Sequence, residues 1–123
     1  MPAILSYLFT LLAAVSVAAT TADVAGNWRV EFVIPSGEMG VNMTIYQSGA
    51  TLTGRVVNED GEFPLEGSVA DDEVTVTWTV PDSGTPLQIT MKGKIEGEYI
   101  TGVARLGNVG EGSLQARRVS RNP

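Results

Sequence analysis

The chain contains no cysteine and no histidine. The first absence excludes disulfides, thiolate metal ligands and thiol nucleophiles. The second excludes Ser-His-Asp and Cys-His catalysis and every metal site built on imidazole. Positive charge is also scarce: 8 Lys and Arg stand against 14 Asp and Glu, a net charge of −6. Nucleic-acid backbones and anionic membrane surfaces both select clustered cations, so neither is an expected partner. These exclusions leave no catalytic constellation, and an enzyme is not expected. Any acid–base chemistry would fall to carboxylates, Tyr or Lys. No cofactor is expected. Aromatic residues are only 7% of the chain, with two tryptophans.

The first 22 residues, MPAILSYLFTLLAAVSVAATTA, contain no charged side chain. The apolar run Ala3–Ala19 ends in small residues and reads as a secretory signal peptide, cleaved near residue 19 or 22. Uncleaved, a run of this length could span a bilayer, and membrane attachment is expected only in that case. Residues 23–123 then form a single secreted or periplasmic domain of about 100 residues, near the lower end for a self-sufficient core.

No apolar pattern of helical period follows the leader. Instead, short strand signals recur between turn residues. Trp28, Val30, Phe32 and Ile34 alternate with Asn27, Arg29, Glu31 and Val33. Val41, Met43 and Ile45 define a second strand, Leu52, Gly54 and Val56 a third, and Leu65, Gly67 and Val69 a fourth. VTVTWTV is the clearest: Val74, Val76, Trp78 and Val80 share one face, and Thr75, Thr77 and Thr79 take the other. A sixth strand runs through Leu87, Ile89, Met91, Gly93 and Ile95. A seventh carries Ile100, Gly102 and Ala104, and an eighth Leu114, Ala116 and Arg118. IPSGEMG and PDSGTP read as breaks, and Asp60-Gly61 as a tight turn. Connections of about two to six residues favour antiparallel hairpins. Eight such strands in sequence predict an all-β, antiparallel up-and-down barrel, whose closure removes exposed edges.

The pattern apolar-x-Gly-x-apolar recurs in LTGRV, LEGSV, MKGKI and ITGVA. It places Gly54, Gly67, Gly93 and Gly102 on the inner face. Sharp bending with close backbone approach accounts for such glycines; a glycine-lined channel for a flat ligand is the alternative. The inward residues are nearly all aliphatic, so a small apolar ligand or a filled interior is expected, not a polar ligand held deep inside. Trp78, with Phe32, is the candidate ligand contact; completing the core is its other reading. A protein partner, as for a secreted protease inhibitor, is the alternative function. Apolar residues on outer faces, Val33, Tyr46 and Val57 with Tyr99, Val103 and Val119, leave homo-oligomerisation open.

Gly26-Asn27-Trp28 resembles the Gly-x-Trp motif that opens the first strand of calycin barrels, the group including lipocalins and avidins. The rhythm GNW, NMTI, LTG, PLEG, VTVTW and QARRV is most similar to the avidin-like branch, and resembles small exported bacterial domains of that rhythm, many without assigned function. The resemblance implies that a basic residue on the last strand packs across the Trp and closes one end. That residue is Arg118, or Arg117 if the register slips by one. The polar groups and additional tryptophans of biotin-binding avidins have no counterpart in RVEFVIPSGE or elsewhere, so biotin binding does not carry over. Glu59, Asp60, Glu62 and Glu66 are oxygen donors of the kind calcium takes, but NEDGE lacks the spacing of a calcium loop and reads as a solvated hairpin.

Overall fold

The computed structural model describes residues 21–123. The predicted signal peptide lies outside them, apart from Thr21 and Ala22. The strands are β1 (Gly26–Ile34), β2 (Gly37–Ser48), β3 (Thr51–Asn58), β4 (Gly61–Ala70), β5 (Glu73–Asp82), β6 (Thr85–Glu96), β7 (Tyr99–Leu106) and β8 (Gly110–Ser120). Each pairs antiparallel with its neighbour in sequence, and β8 returns to β1, closing the barrel. At that seam Trp28 faces Arg118, Val30 faces Ala116 and Phe32 faces Leu114, with a register shift between Asn27 and Trp28. Closure leaves a face inside and a face outside on every strand, so period-two alternation becomes a core. The inward residues Trp28, Val30, Met43, Ile45, Leu52, Val56, Val76, Met91 and Ile100 are all essentially inaccessible to solvent.

The strands are longer than the turn signals imply. Six of the seven connections are two residues long, and only Gly107–Val109 has three. IPSGEMG contributes just Pro35 and Ser36 to a turn, and β2 already starts at Gly37. PDSGTP is similar: Pro81 faces Pro86 across the β5–β6 ladder, and only Ser83 and Gly84 turn. Both turn residues have positive φ, the backbone that tight hairpins between twisted strands require.

Close approach of neighbouring strands explains the inward glycines. Gly93 and Gly102 face each other across β6 and β7. A Cβ on Gly102 would overlap the Lys92 carbonyl. Gly54 has φ +146°, and a Cβ there would overlap the Thr44 carbonyl. Both carbonyls belong to a neighbouring strand and cannot swing aside as a side chain can. Gly102→Ala is therefore expected to destabilise the domain by about 1–3 kcal/mol, the range for overpacking. Urea denaturation beside the outward control Thr101→Ala measures this; equal stabilities would refute it.

One seam is incomplete. The β4–β5 ladder runs from Ala70↔Glu73 to Leu65↔Trp78 and stops. Beyond it, Gly61–Pro64 pairs only with β3, and Thr79–Asp82 pairs only with β6. Pro64 and Pro81 stand on these diverging segments, and neither has an N–H to donate to a continued ladder. The wall therefore opens in a V directly above Trp78.

Candidate functional site

The two ends of the barrel differ in kind. One collects the chain entry before β1 and the β2–β3, β4–β5 and β6–β7 turns. The indole of Trp28 is 1% exposed, and its Nε1–H donates to the Val24 carbonyl at 2.9 Å. The Arg118 guanidinium lies over that indole, 4.7 Å from the ring centroid. Its Nη1–H donates to the Ala25 carbonyl at 2.9 Å, and its Nη2 donates to the carbonyls of Asp23 at 3.0 Å and Gly97 at 3.2 Å. Its Nε lies 3.1 Å from Glu98 Oε2 but is misaligned for a hydrogen bond, so that contact is an ion pair only. Arg121 adds ion pairs to Glu98 and Asp23 at the surface. Delocalised charge and a planar fork of donors let one buried cation stack on an aromatic face and tie together two backbone segments, the chain entry and the β6–β7 turn. Arg117, the alternative in the sequence, pairs with Arg29 on the outside.

Gln47 seals the same end and carried no signal in the sequence beyond lying two residues after Ile45. Its Oε1 accepts the Val24 N–H at 2.7 Å, and its Nε2 donates to the Ala22 and Gly49 carbonyls at 3.0 and 2.9 Å. The segment before β1 is thereby held across the barrel, with Val24 buried beneath it.

The opposite end gathers the β1–β2, β3–β4, β5–β6 and β7–β8 turns and is open. A cavity of about 190 Å³ enters the barrel there. Its apolar wall comes from Phe32, Met39, Val41, Trp78, Val80, Leu87, Ile89 and Leu106. Phe32 and Trp78 meet with ring centroids 6.1 Å apart and planes tilted by 39°, within the range of favourable aromatic pairs. Trp78 is 3% exposed, so it belongs to the core and lines the cavity at once. The interior is thus filled at the Trp28 end and open at the Trp78 end.

Asn58, Asp60, Pro81 and Asp82 complete the rim. Asn58 Oδ1 accepts the Asp60 backbone N–H at 2.7 Å, which shapes the β3–β4 turn. In the sequence Asp60 and Asp82 read as turn residues, and the structure places both on the cavity. The available signal was the alternation itself. Two residues beyond Val56 is Asn58, and two beyond Val80 is Asp82.

Gly54, Gly67, Gly93 and Gly102 lie in the strand walls between the two ends and do not line the mouth cavity. Among the described residues, no three carboxylates gather as a metal site would require, the Glu59–Glu66 cluster included. Val33, Tyr99, Val103 and Val119 are exposed on β1, β7 and β8, and Tyr46 and Val57 on β2 and β3. No protein-family model matches the chain, and no curated protein matches it.

Proposed function

We propose that the chain is an exported, calycin-like barrel that binds one small apolar ligand at its open end, against Trp78 and Phe32. The observation that carries this reading is the asymmetry of the interior: one end is sealed, and the other keeps an apolar cavity beside an aromatic pair. An engineered apolar cavity of about 150 Å³ suffices for benzene. The 190 Å³ here therefore matches a single ring with a short substituent. Lining that is mostly apolar, with few polar groups at one side, is the usual composition of a small-molecule site. The calycin-like reading draws on the stacking of Arg118 on Trp28 at the sealed end. Export draws on the uncharged leader of residues 1–22.

Titration with 2-phenylethanol, followed by amide and indole NMR shifts, tests the site. Shifts are expected at the Trp78 indole, Phe32 and Leu87, and not at the Trp28 indole. Val80→Trp, which fills the mouth from a half-buried position, is expected to weaken binding at least about tenfold by occupying the pocket that encloses the ligand. Absence of shifts, or equal binding by Val80→Trp, would refute the reading.

A further inference from the structure

The charge around the open end carries the reading of that cavity one step further, to the class of ligand. The four hairpin tips that surround it, residues 34–39, 58–63, 80–87 and 106–111, contain no Lys or Arg. They carry Glu38, Glu59, Asp60, Glu62, Asp82 and Glu111. Glu62 is held by Arg55 at 3.0 Å, and Glu111 by Arg105 at 3.7 Å. Among the described residues, Glu38, Glu59, Asp60 and Asp82 have no ion-pair partner. Asp60 and Asp82 line the cavity itself, at the edge of its apolar wall.

We infer that the mouth selects a small amphiphilic cation: an aryl or alkyl ammonium whose apolar body enters against Trp78 and Phe32 and whose charge stays at the Asp60–Asp82 rim. Three features combine. The wall offers an apolar body dispersion contacts and removal from water. The size admits one ring and a short chain. The rim sets the sign of the head group, because several unpaired carboxylates around a low-dielectric mouth attract a cation and repel an anion. A fatty-acid carboxylate would have to pass between Asp60 and Asp82 without a single cation on the four tips to receive it. An ammonium at the same depth keeps its hydration on one side and gains carboxylate acceptors on the other. The arrangement asks nothing of Arg118, which is committed to the far end.

This inference rests on the proposal that the cavity binds apolar ligands, and the test separates the two. Three probes of nearly equal shape are compared by calorimetry at pH 7 and low salt: 2-phenylethylamine, which is an ammonium there, neutral 2-phenylethanol, and anionic 3-phenylpropanoate. The ammonium is expected to bind about two- to fivefold more tightly than the alcohol, the scale for exposed charge pairs, and the carboxylate more weakly than either. The ammonium-to-alcohol ratio is expected to approach one in the double variant Asp60→Asn, Asp82→Asn. In the unmodified protein at 0.5 M NaCl, where the screening length falls to about 4 Å, it should also shrink. Both aspartates are exposed, and the salt series needs no variant at all. If the alcohol binds and the ammonium binds no better, or if the preference survives in the double variant, the cation assignment is overturned while the cavity reading stands. If the carboxylate binds as tightly as the ammonium, the assignment is overturned as well. If none of the three binds, both fall together.

Discussion

Replacing Trp28 with Ala is expected to lower stability by about 3–5 kcal/mol, the range for truncating a large buried aromatic. For a domain of this size that corresponds to a fall in Tm of roughly 15–30 °C. The indole is nearly inaccessible and fills the sealed end, so its loss leaves a void that the closed wall cannot collapse around. It also strands the Val24 carbonyl, the acceptor of Nε1, and removes the face on which Arg118 rests. Trp28→Phe keeps much of the volume, losing the indole donor and part of the ring, and should cost distinctly less. Thermal unfolding followed by circular dichroism gives both values. A Trp28→Ala protein of unchanged stability with impaired ligand binding would make Trp28 a ligand contact and overturn the role of plug.

Arg118→Ala is the second large effect, at about 3 kcal/mol. The side chain is only 2% exposed. Its removal frees the carbonyls of Ala25, Asp23 and Gly97, which are partly buried beneath it, and takes the cover off the buried Trp28 indole. Glu98 loses one cation but keeps Arg121, so the cost stays below that of orphaning a fully buried charge. Arg118→Lys should recover less than half of the loss. A single ammonium cannot span three carbonyls held by a planar fork, nor stack flat on the indole. Since Trp28 and Arg118 touch, the double Ala variant should be less destabilised than the sum of the singles, by about 0.5–3 kcal/mol. Urea denaturation of the four proteins closes this cycle. Additive losses would mean that the stacking contributes nothing.

Much of the architecture could be read from residue order. VTVTWTV, with β-branched residues on both faces, has no competing helical reading, and its face assignment holds in β5: Val74, Val76 and Trp78 are buried, with Val80 half-buried at the mouth. The inward glycines were legible as a repeated anomaly, since an inward position without a side chain needs a reason, and the carbonyls beside Gly54 and Gly102 supply one. Turn signals were less informative about length. Proline marks a place where a ladder loses a donor, but Pro81 and Pro86 remain in strands because a two-residue hairpin lets pairing continue up to the bend. The candidate site was only half legible. Trp78 and Phe32 could be named from their shared inward direction. The acidic rim was less legible: alternation beyond Val80 points Asp82 inward, but β4 and almost all of β5 separate it from Asp60, and both residues fall in segments that read as turns.

By itself, the sequence determined the strand count, their antiparallel order, the residues that face inward and the excess of negative charge. These follow from local rules: alternation of two, short connections and side-chain chemistry. Only the tertiary structure decided which Arg meets Trp28, which end is sealed, and where the wall opens above Trp78. Those depend on the stagger of strands around a closed circuit and on the β1–β8 seam, which joins Trp28 to Arg118. Stagger is set by the pairing of all eight strands together, and the free volume left inside is the remainder after every inward side chain has been packed. Neither quantity belongs to any one segment of the chain.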